Sequence, residues 1–138
     1  MPKKNFEVRM VSYGLYTPFE KGSRGLPHVL EFTDTVPARL GVEFGYILHI
    51  RKARGEMLEF TIEHPPFPDE SGQVTPPFAG AERISASDYQ FFLGDTLWEP
   101  LEDKLGDWTL TAWIGEQEVA RKTFHVVQAG DADNLPTR

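Results

Sequence analysis

Apolar and polar residues alternate along most of this chain, which is the pattern of strands with one buried face. Phe6, Val8 and Met10 alternate with Glu7 and Arg9, and then the parity changes: Val11, Tyr13 and Leu15 carry the pattern on. A one-residue slip moves side chains to the opposite face. A bulge is therefore expected near Met10-Val11, with the first strand crossing from one sheet to the other. Val29 to Thr33 reads as a short strand stopped by Asp34 and Pro37. Val42 to Ile50 is the strongest internal strand. Val42, Phe44, Tyr46, Leu48 and Ile50 share one face. Gly45, Ile47 and His49 share the other, so that face is expected to be partly covered or close to another backbone. After the Arg54-Gly55 turn, Leu58, Phe60 and Ile62 alternate with Glu59, Thr61 and Glu63. The two segments are expected to pair as a central hairpin.

Proline then breaks the ladder, because it has no amide donor. Pro65, Pro66, Pro68, Pro76 and Pro77 mark 65–80 as a long surface loop of polyproline character. Arg83 to Ala86 and Tyr89 to Leu93 read as strands, and 96–104 has room for one helical turn, limited by Pro100. The last hairpin is the clearest element. Trp108, Leu110, Ala112 and Ile114 lie on one face, with Thr109, Thr111 and Trp113 on the other. Ile114-Gly115-Glu116-Gln117 places glycine at the first central position, as a two-residue type II′ turn requires. On the return, Phe124 and Val126 point inward and Arg121, Thr123 and His125 outward. Residues 128–138 are polar and small, a tail expected to fray. No segment of useful length has a helical period, and no repeat is present. The pattern therefore predicts one all-β domain over 1–138, with its core at about 5–128 and seven or eight mainly antiparallel strands in a sandwich or barrel.

Composition agrees. Hydrophobic residues make up 40% of the 138 positions, enough for a core without staples. Twelve Gly and eleven Pro favour turns, and ten Phe, four Tyr and three Trp favour strands. The absence of cysteine excludes disulfides, Cys-ligated zinc, iron–sulfur clusters and a thiol nucleophile. The net charge of −7 argues against nucleic acid as a partner, since that binding rests on Lys and Arg neutralising phosphates. The basic run Arg51-Lys52-Ala53-Arg54 reads as a solvated turn. No secretory signal or membrane-spanning run is visible, so a cytoplasmic location is the expectation.

With the hairpin defined, a resemblance can be stated. Leu105 to Val127, with its Gly-x-Trp opening, short turn and Phe-x-Val close, resembles the final hairpin of bacterial immunoglobulin-like domains. Together with Val11-Ser-Tyr-Gly-Leu-Tyr16, the chain resembles a bacterial single-domain family of unknown function with an immunoglobulin-like fold. The resemblance implies fold and carries no catalytic residues across.

Motifs for chemistry are absent. His28, His49, His64 and His125 fall into no His-x-His, His-x-x-x-His or His-Glu-x-x-His spacing. His64 near Glu63, Asp69 and Glu70 is a weak cation-site pattern, and a solvated loop is the better explanation of it. No serine lies in Gly-x-Ser-x-Gly. Gly22-Ser23-Arg24-Gly25 lacks the Lys and helix of a phosphate-binding loop. The expectation is no catalytic site, no cofactor and no metal. What remains is aromatic surface: Trp113, on the parity opposite Trp108, and Trp98, beside Pro100, are the candidate binding residues. The chain is thus expected to be a non-catalytic interaction or accessory module. Its partner would be a protein or a second copy; the alternative is a carbohydrate- or peptide-binding module using these aromatics.

Overall fold

A computed structural model describes residues 5–18 and 25–130. Nine strands form two sheets packed face to face. β1 (Glu7–Tyr16), β2 (Val29–Glu31), β4 (Glu43–Arg51) and β7 (Asp88–Thr96) build a four-stranded sheet in the order β2-β1-β4-β7. β3 (Thr35–Ala38), β5 (Met57–Glu63), β6 (Phe78–Arg83), β8 (Gly106–Ile114) and β9 (Gln117–Gln128) build a five-stranded sheet in the order β3-β9-β8-β5-β6. A 3-10 turn occupies Glu102–Lys104. All pairings are antiparallel except that of β3 with β9.

The core is the pair of inner faces that the alternation marks. Phe44, Tyr46, Leu48 and Ile50 of β4 and Trp108, Leu110, Ala112 and Ile114 of β8 are almost fully buried. Phe44 meets Trp108 and Phe124 edge-on, at centroid distances of 5.5 and 5.4 Å. The Tyr46 hydroxyl crosses the interface and donates to the Leu110 carbonyl at 3.1 Å. The β8–β9 turn is as expected: Gly115 takes a φ of 62° while Glu116 keeps a negative φ, the signature of type II′. The parity change in β1 is a register shift between Met10 and Ser12.

Four expectations are corrected. β1 stays in one sheet, pairing with β2 and β4 only. β4 and β5 are not a hairpin. β4 lies between β1 and β7, and β5 between β8 and β6. The chain turns the corner at Lys52, whose φ is 66°, and drops Ala53 into the core; the Lys52 and Gly55 amides bond to Ser87 and Ile84. The third correction is β3, which contains Pro37. Proline is tolerated there because β3 is an edge strand and needs only one bonding side. Finally, β6 starts at Phe78, inside the expected loop, and ends at Arg83, where a strand was expected to begin. The expected frayed tail lies mostly outside the described residues, and Gln128 belongs to β9.

The outer face of the four-stranded sheet is unusual. Gly14, Gly45 and Gly94 stand directly opposite one another on β1, β4 and β7. A Cβ at Gly14 would lie 1.9 Å from the Glu31 carbonyl oxygen, at Gly45 2.2 Å from that of Leu93, and at Gly94 2.3 Å from that of Phe44. The backbones therefore approach as only glycine allows. The bare strip is flanked by aromatic rings: Tyr16 and Phe92 meet edge-on at 5.0 Å, and the Tyr16 hydroxyl bonds to Ser12 at 2.8 Å. Tyr16, Ile47, Ser12 and Glu43 are buried although they lie on the outer face.

Candidate interaction surfaces

The structure places the two candidate tryptophans in different settings, and they do not form one surface. Trp98 leaves β7 and turns into an aromatic cluster at one end of the sandwich. Its ring meets Phe67 at 5.6 Å and Trp108 at 6.2 Å, both edge-on. Phe67 comes from the proline-rich segment, which is thus a lid on the core: Phe67 is buried, and a bridge between Pro68 and Val74 closes the segment on itself. His64 stacks on Phe67 at 4.4 Å, and its ring nitrogens contact the carbonyls of Pro65 and Pro76. These contacts make it a strut of the lid.

Lys104 completes this end. Its side chain is 1% exposed. The ammonium lies 4.5 Å from the Phe67 ring centre and 4.6 Å from that of Trp98, where ring quadrupoles attract a cation. It also donates to the Pro100 carbonyl at 2.9 Å and to Asp103 at 2.6 Å. The Lys104 carbonyl in turn accepts the Trp108 indole N–H at 2.9 Å. The aromatic cage is filled by the chain's own lysine.

Trp113 lies on the outer face of the five-stranded sheet, half-buried, opposite Glu59 of β5 and Glu118 of β9. No ring among the described residues stacks on it. Its neighbours along β8 are Thr111 and, beyond it, Thr109, whose hydroxyl is bonded to that of Thr123 at 2.8 Å.

The strand edges differ in how open they are. β2 has three residues, β3 has four and contains Pro37, and β6 has six. β7 has nine, Asp88 to Thr96, in unbroken register with β4 from Arg51 to Glu43. It contains no proline, lysine or arginine and no bulge. Among the described residues, no strand pairs with its other edge. Two charged residues lie on it. Asp88 sits at the start of the strand, bonded to His49 at 2.7 Å. Asp95 points inward, and burial pushes its carboxyl up to about 6, with the nearby Glu43 charge adding to the effect and the Thr96 amide and His64 opposing it.

A further surface was not visible in the sequence. At the other end of the same sheet's outer face, register sets Arg9 opposite His49 and Glu7 opposite Arg51. Glu7, Val8, Arg9, His49 and Arg51 line an open depression of about 310 Å³. The alternation in β1 and β4 marks all four polar side chains as outward-facing. Only the pairing of β1 with β4, which lies outside the local pattern, brings them together.

No group of three or more metal-ligating side chains occurs among the described residues, and no helix there is long and apolar enough to cross a membrane.

Two comparisons with known proteins bear on this architecture. A crystal structure of an immunoglobulin-like protein from Pseudomonas aeruginosa superposes with a TM-score of 0.69, at 24% identity, over 88% of this chain and 97% of that one. This likeness is one of fold, and it makes the sandwich immunoglobulin-like. No curated protein matches the chain. Residues 4–126 match a family model described as a domain of unknown function (DUF3859), and the chain belongs to that family.

Proposed function

We propose that this domain is a non-catalytic interaction module that binds a protein partner by strand addition at β7. The observation that supports this reading is the free nine-residue edge of β7, in unbroken register with β4. An edge strand presents a row of unpaired amides and carbonyls, and folded proteins ordinarily blunt such edges with bulges, prolines, cationic side chains or short length. The other three edges are short, and β3 carries a proline. β7 relies only on Asp88 at its end and the inward Asp95. An added strand would gain main-chain hydrogen bonds for affinity and the flanking side chains for selectivity. The alternative aromatic platform for carbohydrate loses support, because Trp98 belongs to the core cluster.

Amide hydrogen exchange tests the reading. In the isolated chain, alternate β7 amides are held by β4 and the intervening ones exchange fast. Raising the concentration into the millimolar range, or adding a candidate partner, is expected to protect the fast set at least tenfold. Gln90 and Phe91 are consecutive, so one of them carries a fast amide. Proline at that position removes the outward donor without breaking the ladder to β4, and it is expected to abolish the protection. A complex that leaves β7 exchange unchanged, or one that survives this proline, would sink the proposal.

A further inference from the structure

We infer that the depression on the outer face of the four-stranded sheet is a binding site for a single carboxylate, gripped by Arg9 and Arg51. The inference is independent of strand addition at β7.

Three observations carry it. First, the two arginines share the outward face of the β1–β4 pair. Arg9 is opposite His49, and Arg51 is two residues on from His49 along β4, so the two arginines are diagonal neighbours on one face, within reach of a common ligand. Second, both are exposed and unpaired among the described residues, although carboxylates are at hand. Glu7 stands directly opposite Arg51, yet its closest cation is Lys52, at 3.7 Å. Asp88 is taken by His49, whose Nε2–H donates to it at 2.7 Å. The donors left over are therefore the two guanidinium forks, the geometry that matches an oxyanion in bidentate fashion. Third, they are gathered around a depression of about 310 Å³, which the β1 strand also lines at Val8. That volume suits one small group, at the low end for ligand pockets.

The charge balance selects the anion. The lining itself holds two arginines and one glutamate, a net of one positive charge, and Asp88 beside it is bonded to His49. A monoanion neutralises this set, whereas a dianionic phosphate would face Glu7 with charge to spare. The chain as a whole is at −7, so a highly charged ligand is also repelled at long range. A carboxylate is the ligand chemistry that fits. It can come from a free small acid, from a peptide C-terminus or from an acidic side chain.

The test is an NMR titration read at the Arg9 and Arg51 Nε–H signals, at constant ionic strength. The probes are sodium acetate, inorganic phosphate, a short peptide with a free C-terminus beside its amide, and a capped peptide containing one glutamate. Acetate is expected to shift both signals saturably in the millimolar range, with phosphate binding no tighter. Arg9→Gln or Arg51→Gln is expected to weaken binding about tenfold, as loss of one charge-assisted bidentate contact does. Arg121→Gln, on the opposite sheet, is expected to leave it unchanged. A free-terminus peptide binding tenfold tighter than its amide would identify a C-terminus as the source. The same advantage for the glutamate peptide would identify a side chain, and equal binding of all three carboxylates a free acid. Shifts that match those in chloride, tighter binding of phosphate, or binding that persists in both glutamine variants would overturn the inference.

Discussion

Trp108→Ala removes the central side chain of the aromatic cluster at one end of the core. Trp108 is 0% exposed, and its ring lies within 5.5 Å of Phe44, 5.6 Å of His64, 6.2 Å of Trp98 and 6.3 Å of Phe67, centre to centre. Burying a tryptophan withdraws roughly 150–250 Å² from water, a gross gain on the order of 4–6 kcal/mol at about 25 cal/mol per Å². Truncation to alanine in a core costs about 3–5 kcal/mol, because the cavity collapses only partly. Here the walls are rigid rings, and the indole N–H that satisfies the Lys104 carbonyl is also lost, adding about 1 kcal/mol. The expected loss is therefore near the top of the range, about 5 kcal/mol, enough to unfold a domain of ordinary stability. Urea unfolding followed by far-ultraviolet circular dichroism measures it. Trp108→Phe separates the two contributions, since it keeps an aromatic body and loses the donor; a cost of about 2 kcal/mol is expected. If Trp108→Ala unfolds within 1 kcal/mol of the parent by this assay, roughly the loss of one ordinary hydrogen bond, the cluster is not the anchor described here.

Two further outcomes follow from the same structure. The Asp95 carboxyl is held at about 6 by burial, against an ordinary 3.8. Between those values the folded state keeps a proton that the unfolded state has released, so stability falls as pH rises from about 4 to about 6 and the loss persists above that window. The amount is on the order of 2–3 kcal/mol, and Asp95→Asn is expected to flatten this slope and raise the melting temperature at pH 7; an unchanged slope would contradict it. Gly45→Ala would set a Cβ 2.2 Å from the Leu93 carbonyl oxygen and is expected to cost roughly 2–4 kcal/mol. Gly115→Ala meets nothing within 4 Å and is expected to cost only the backbone strain of a positive φ, about 1–2 kcal/mol. Equal denaturation midpoints for these two glycine variants would contradict the close approach.

What could be read from the sequence was what local periodicity encodes. The alternation around Trp108 and the glycine at 115 fix the β8–β9 hairpin and its inner face. The change of parity after Met10 marks the bulge. Lost to the sequence was whatever depends on which strand lies beside which. β4 and β5 carry complementary alternation and a short turn, so they read as partners; only the corner at Lys52 and the burial of Ala53 send them to different sheets. Pro37 hides β3, because proline argues against a strand unless its edge position is known. Trp98 illustrates the same limit at the candidate site. Its local context of Pro100 and acidic residues reads as surface, and the groups that enclose it, Phe67 and Lys104, come from outside its own strand. For Arg9 and Arg51, the outward parity was visible, but the β1–β4 pairing that makes them neighbours was not.

The glycine row also governs alignment. Strands with a two-residue period can slide by two positions and still bury the same face, so hydrophobic pattern alone leaves such slips open. In this sheet a slip by two would bring Ser12 or Tyr16, Glu43 or Ile47, or Phe92 or Thr96 to the place where carbonyls leave no room for even a Cβ. The three glycines thus act as a notch shared by three strands. They fix how far each slides past the next, and with it whether Arg9 and Arg51 stand as diagonal neighbours on β1 and β4.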